Sequence, residues 1–167
     1  TNAYEAEIRR ATERVFGERL MALAENAAMP QVRALASQYL ERLLDGVEDP
    51  RHRLRLLVEN HLRFFVGNMK EMKVLSHEAD SLTGEHHRRI NAKKKRYTQI
   101  CEGILTSLRP EGSPIDSRTA TFSLFGMLNW IYNWYTPERD LPVEELADQM
   151  SRLFLRGYLA GAEPAFP

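Results

Sequence analysis

The sequence predicts an all-α protein, a helical bundle with no sheet, and three observations predict it. Alternating β-branched runs and Asn-Gly turns are absent. Apolar residues instead recur at three- and four-residue spacing along most of the chain. Gly and Pro fall mostly between these stretches, where they punctuate helices rather than interrupt them.

The elements follow in order. Tyr4, Ile8, Ala11, Val15 and Phe16 line one face of a first helix that ends near Gly17. The short piece MALAENAA precedes a turn at Met29-Pro30. A helix from about Gln31 to Leu44 stops at Asp45-Gly46, a C-cap signal. Asp49-Pro50 opens the next helix, with proline in the first turn, where its missing N–H costs nothing. Its stripe is Leu54, Leu57, Val58, His61, Leu62 and Phe65, and Gly67-Asn68 ends it. The shorter segment MKEMKVLSHEAD follows, and then a long helix from about Glu85 to Leu108. RPEGSP is the clearest loop. Asp116 caps an aromatic helix that is expected to reach Thr136-Pro137, and a last helix spans about Val143 to Gly161.

Composition narrows the function classes. The 167 residues are 43% hydrophobic and 28% charged, enough to bury a core without disulfides. Lys plus Arg and Asp plus Glu are equal at 23 each, so bulk charge does not suggest a polyanion partner, although a local basic patch remains compatible. Cys101 is the single cysteine, which fits a reducing compartment. No apolar run approaches the roughly 20 residues of a membrane span, and TNAYEAEIRR has no signal-peptide core. The expectation is a cytoplasmic protein with no membrane partner.

The stretch FSLFGMLNWIYNWY, Phe122 to Tyr135, is the least ordinary. Leu124, Phe125, Leu128, Ile131, Tyr132 and Tyr135 form one broad apolar face, while Ser123, Met127, Trp130 and Trp134, with Gly126 beside them, form a second stripe. In the last helix Met150, Phe154, Gly157 and Gly161 share a side, and small residues there allow close helix approach. Two adjacent helices with more apolar surface than one core needs predict a homodimer. Ser123, Gly126, Met150, Phe154, Gly157 and Gly161 are its candidate interface. The competing reading makes both helices central core elements of a monomer.

LFGMLNWIYNWY followed by LPVEELADQMSRLFLRGYLAG resembles the last two helices of TetR-family transcriptional repressors, most closely the branch that senses acyl-CoA thioesters. DPRHRLRLLVENHLRFFVGNMKEMKVLSHEADSL and HHRRINAKKKRYTQICEGIL resemble that family's middle helices. The resemblance covers about Glu48 to Gly161. It implies a TetR-like bundle with a two-helix dimerisation face, a small amphipathic effector held inside the larger domain, and operator DNA bound by the N-terminal region. Two domains follow: residues 1–47 as an incomplete helix-turn-helix region with its linker helix, and residues 48–167 for ligand binding and dimerisation. IRRATERVFGERL and MALAENAAMPQ resemble the first helix and the turn of the helix-turn-helix, but VRALASQYLERLLDG resembles the linker helix directly. The recognition helix expected between them does not appear, so DNA-contacting residues stay unassigned.

The candidate effector contacts combine residue pattern with this resemblance. On the long helix Ile90, Tyr97, Ile100, Cys101, Ile104 and Leu108 share a face that Lys93 interrupts. HHRRINAKKKR holds six Lys/Arg and two His in eleven residues. Arg89 and Lys93 are therefore the candidate rim for a phosphate-bearing ligand; the plainer reading is a solvated face with snorkelling stems. His61 lies on an apolar stripe, where a histidine is often simply hydrogen-bonded packing. Phe64, Phe65, Met69, Met72, Tyr97 and Met127 supply apolar walls, and Trp130 and Trp134 line either the pocket or the dimer seam. His77, His86 and His87 lack the partner spacing of a closed metal site, and no phosphate-cradling loop, G-x-S-x-G or H-E-x-x-H occurs. The reading is a non-enzymatic repressor without cofactor or metal. The alternative is a helical small-molecule-binding protein or enzyme that does not bind DNA.

Overall fold

The computed structural model describes residues 37–69 and 84–160, without the side chains of residues 37–39, 84–91, 93 and 94. All of the described secondary structure is helical. The helices are α1 (Ser37–Leu44), α2 (Pro50–Gly67), α3 (Gly84–Leu108), α4 (Ser117–Asn129) and α5 (Val143–Tyr158), with a 3₁₀ turn at Trp130–Asn133. The expected first helix, the helix-turn-helix region up to residue 36, Met72 and Gly161 lie outside the described residues, as do the side chains of Arg89 and Lys93.

Local chemistry sets the helix ends. Gly46 turns with φ 71°, a conformation that a Cβ disfavours. Asp49 then caps α2, its Oδ1 accepting from Arg51 N at 3.0 Å, and Pro50 occupies the first turn. Arg53 ties the turn to both helices by donating to the carbonyls of Leu44 at 3.1 Å and Val47 at 3.0 Å. Asn68 closes α2, its Nδ2 donating to Phe64 O at 2.9 Å. Asp116 caps α4 through Thr119 N at 2.9 Å.

The aromatic helix stops earlier than its apolar period predicts. α-Helical geometry ends at Asn129 and tightens into the 3₁₀ turn. Pro137 disfavours helical geometry at Thr136, and Thr136 N is taken by Asp140 Oδ2 at 2.5 Å. Arg139 N and Asp140 N both donate to Thr136 O. This turn captures the chain and redirects it toward α5. The i→i+3 bonds of the tightened segment satisfy donors that a longer helix would have used.

α2 is the central element and touches α1, α3, α4, the 3₁₀ turn and α5. It buries Leu54, Leu57, Val58, Leu62, Phe64 and Phe65. Tyr97, Cys101, Ile104 and Leu105 of α3 and Leu124 and Leu128 of α4 join the same core, with Ile131, Leu146 and Ala147. Each fully buried leucine contributes about 1.5–3 kcal/mol relative to exposure.

α5 runs antiparallel to α2. Arg63 pairs with Glu144 near one end of the seam, and Arg55 lies 3.8 Å from Asp148 farther along. Arg55 also donates to Glu144 O at 3.2 Å. At the far end, Tyr158 Oη donates to Leu105 O at 2.8 Å, satisfying a carbonyl in the last turn of α3. Among the described residues, no helix is long and apolar enough to cross a membrane.

Candidate functional site

α2, α3 and α4 bring four rings into one cluster, with His61, Phe65 and Tyr97 buried and Phe125 partly buried. His61 stacks on Phe65, with centroids 4.6 Å apart and an interplanar angle of 18°. Tyr97 and Phe125 are tilted against His61 at 5.9 and 5.7 Å and lie 5.9 Å from each other. His61 Nε2 meets Asn129 Oδ1 at 3.0 Å. Asn129 is the last residue of α4, so this bond reaches from the middle of α2 to the point where the aromatic segment changes geometry.

The cluster is apolar in bulk but carries unmet polar capacity. His61 is only 5% exposed, and its Nδ1 has no hydrogen-bond partner. Tyr97 Oη has no close hydrogen-bond partner either, and the Asn60 side chain beside it acts on the phenol, partly opposing the rise in its pKa. Buried polar atoms without partners are uncommon in folded proteins and call for an explanation. Desolvation pushes the His61 pKa down to about 4, against the smaller opposing effect of the Asn129 bond. Burial pushes the Tyr97 phenol up and the Cys101 thiol up to about 12. At neutral pH the cluster is therefore a neutral imidazole, a protonated phenol and an unreactive thiol one turn along α3.

Of the sequence-derived candidates, His61 meets both Phe65 and Tyr97. Phe64 is buried and touches Phe65 edge-on at 6.3 Å, while Met69 and Met127 are partly buried. Trp130 and Trp134 do not join the cluster; they are 60% and 46% exposed. Arg89 and Lys93 lie on α3 two turns and one turn before Tyr97 by helical spacing. Phe125 and Asn129 are site residues that the sequence reading misses, although the polar Asn129 four residues after Phe125 is a usable signal. Among the described residues, no cluster of His, Cys, Asp or Glu could hold a metal ion.

The candidate interface residues are accessible to different degrees. Ser123, Gly126 and Gly157 are exposed, and Met150 and Phe154 are partly buried. Nearby in sequence, Phe122 and Leu153 are 50% and 68% exposed. A further feature was not visible in the sequence. Arg51, Arg152 and Arg156 surround an open groove of about 480 Å³ floored by Leu155, Leu159 and Ala160.

Residues 47–158 match the family model described as Tetracyclin repressor-like, C-terminal domain. Among curated proteins, no match is found. Similar solved structures include a TetR-family transcriptional regulator from Bordetella parapertussis 12822, 23% identical with a TM-score of 0.69, covering 88% of this chain and 73% of that one. The TetR-family regulator PfmR from Thermus thermophilus is 27% identical with a TM-score of 0.66, covering 93% and 82%. AibR, solved in complex with isovaleryl coenzyme A and operator DNA, is 27% identical with a TM-score of 0.62, covering 82% and 73%. With the family match spanning more than half of its residues and its helices in the corresponding fold, the chain belongs to the TetR family of transcriptional regulators, whose tetracycline-repressor-like C-terminal domain it carries.

Proposed function

We propose that the chain works as a dimeric, effector-responsive repressor, with an amphipathic effector of the acyl-CoA kind binding between α2, α3 and α4 and releasing operator DNA. The observation that carries this reading is the His61–Tyr97–Phe125 cluster, an aromatic core with two unpartnered polar atoms where three helices meet. Family membership supplies the DNA-binding context, and AibR binds an acyl-CoA together with operator DNA. In this reading residues 1–47 belong to the DNA-binding side and residues 48–167 to effector binding and dimerisation. Arg89 and Lys93 form the rim for the charged end of the effector, because their spacing places them along α3 from Tyr97.

His61 and Tyr97 are buried, so an effector has to part the rings of the cluster to reach them. An effector that meets the unpartnered atoms binds the opened arrangement and has little to bind in the closed one. This difference in affinity is what shifts the population; tight binding without it would shift nothing. Asn129 links the opening to the end of α4, next to the surface proposed for the dimer.

Calorimetric titration of a series of acyl-CoAs and the matching free acids tests the reading. Thioesters are expected to bind, and the Arg89→Ala/Lys93→Ala double variant to bind at least about tenfold more weakly, because guanidinium–phosphate and ammonium–phosphate bonds contribute roughly 1.5–3 kcal/mol each. Free acids that bind as well as thioesters, with an unaffected double variant, would overturn the acyl-CoA assignment.

A further inference from the structure

Three arginines from two helices line one groove. Arg51 stands in the first turn of α2, and Arg152 and Arg156 belong to the last two turns of α5. Together with Leu155, Leu159 and Ala160 they surround an open space of about 480 Å³. Farther along the α2–α5 seam the arginines meet carboxylates: Arg63 meets Glu59 and Glu144, and Arg55 meets Glu59. At the groove this pairing runs out. Arg152 keeps Asp148 at 2.9 Å, while among the described residues Arg51 and Arg156 form no ion pair. Asp49, two residues before Arg51, is engaged at the helix N-terminus, its Oδ1 accepting from Arg51 N at 3.0 Å. Like charges gathered round one space repel, and an anion placed between them turns that repulsion into attraction. The floor differs in kind, because Leu155 and Leu159 are apolar and partly buried. Helical spacing sets both on the opposite side of α5 from Leu153 and Gly157, so the groove is not the candidate dimer face. It is not the ring cluster either, since His61 follows Arg51 by about 15 Å along α2.

We propose that this groove is a second ligand site, for a small organic phosphate monoester with a compact apolar body. Such a monoester carries about two negative charges at neutral pH and three strong acceptor oxygens. Arg51 and Arg156 donate to those oxygens, and planar guanidiniums suit paired, charge-assisted bonds of this kind. Arg152, already held by Asp148, adds N–H donors at the edge. The apolar body lies over Leu155 and Leu159 and removes them from water. A sulfate ester or a monocarboxylate brings one charge only and leaves one guanidinium unmatched. The space falls within the range of small-molecule sites, about 300–1,000 Å³. A bound phosphate ties the first turn of α2 to the last turns of α5, so binding stabilises the folded chain.

The test uses the full chain, with calorimetry and thermal melts at about pH 7.5, where the monoester is a dianion, and at low salt. The probes are naphthyl phosphate, naphthyl sulfate, naphthol and inorganic phosphate. Naphthyl phosphate is expected to bind at least about tenfold more tightly than any of the other three and to raise the melting temperature. Its affinity should fall as ionic strength rises. Arg51→Glu and Arg156→Ala are each expected to lose at least about tenfold, while Arg139→Ala, in the turn before α5, binds unchanged. Ligand-free melts guard against misfolding: Arg51→Glu should melt no lower than the wild type, because it removes one of the gathered like charges. Absence of binding overturns the inference, as does equal affinity for the sulfate, for naphthol or for inorganic phosphate. Binding that both groove variants leave unchanged also overturns it, by placing the ligand elsewhere on the chain. Two other occupants would show themselves and overturn it too. If Glu163→Gln gains naphthyl phosphate binding that the wild type lacks, the chain's own carboxylate fills the groove. If Arg51→Glu instead weakens a wild-type dimer in sedimentation, a second copy fills it. The site rests on no part of the effector reading, and failure of either leaves the other standing.

Discussion

His61 Nε2 and Asn129 Oδ1 stand 3.0 Å apart, a bond between residues 68 positions apart that joins the middle of α2 to the last residue of α4. It leaves the imidazole buried, neutral and oriented, and so makes His61 a source of pH-dependent stability as well as a candidate effector contact.

The folded-state pKa of His61 is depressed to about 4 from 6.5 by burial. Between these values the unfolded chain binds the proton and the folded chain does not, so His61 lowers stability as pH falls from about 6.5 toward 4. At pH 5 the loss relative to pH 7.5 is about 2 kcal/mol from this residue alone. Urea unfolding at the two pH values is expected to show it, and the difference should shrink by that amount in His61→Phe. An undiminished difference in the variant would assign the pH dependence to other groups.

Tyr158 fastens the end of α5 to the last turn of α3 through Leu105 O, at 2.8 Å and in a buried setting. Tyr158→Phe keeps the ring, which stacks with Phe154 at 5.8 Å, and removes only the hydroxyl. A loss of about 1 kcal/mol is expected from the broken bond, read as a lower urea midpoint with an unchanged slope.

Gly157 has open space where a Cβ would stand. Gly157→Trp should therefore leave the fold of a single chain intact, and any effect on assembly reports a partner surface. Sedimentation at micromolar concentration is expected to show a dimer for the wild type and a weakened one for the variant. Trp130→Ala belongs to the same test: with the indole 60% exposed within the single chain, its removal should cost the dimer more than the protomer. A monomeric wild type, or an unchanged dimer in both variants, would remove these two helices from the interface.

Along the α2–α5 seam, Glu59 and Glu144 engage Arg63, Arg55 also bonds Glu59, and Asp148 holds Arg152 at 2.9 Å. The alternation ends at the groove where Arg51, Arg152 and Arg156 converge. Arg51→Glu restores it, and a gain of about 0.5 kcal/mol is expected at low salt. Because these groups are near solvent, the gain should fade as ionic strength rises to about 1 M. Equal urea midpoints at low salt would mean that the arginines are too far apart in solution to repel.

Helix positions were legible in the sequence because their causes are local. Asp49-Pro50 and Asp116 cap their own next turns, and Gly46 supplies a backbone conformation within a few residues of the helix it ends. Of the apolar face read from the period, Leu124, Leu128, Ile131 and Tyr135 are buried and Phe125 and Tyr132 are partly buried, while Trp130 and Trp134 are exposed. The period placed His61 on the inner stripe of α2 without naming what opposes it.

Which residues meet across that stripe is a property of tertiary packing. Helical spacing determines the face of a residue's own helix, but not which helix covers that face or at what register. α2 is covered on several sides, so Tyr97, Phe125 and Asn129 became partners of His61 only once α3 and α4 were docked. The 3₁₀ tightening at Trp130 has the same origin. The apolar period continues past Asn129, and the turn around Thr136 and Asp140 that redirects the chain toward α5 overrides it. The arginine groove likewise exists only because antiparallel docking brings the first turn of α2 to the last turns of α5.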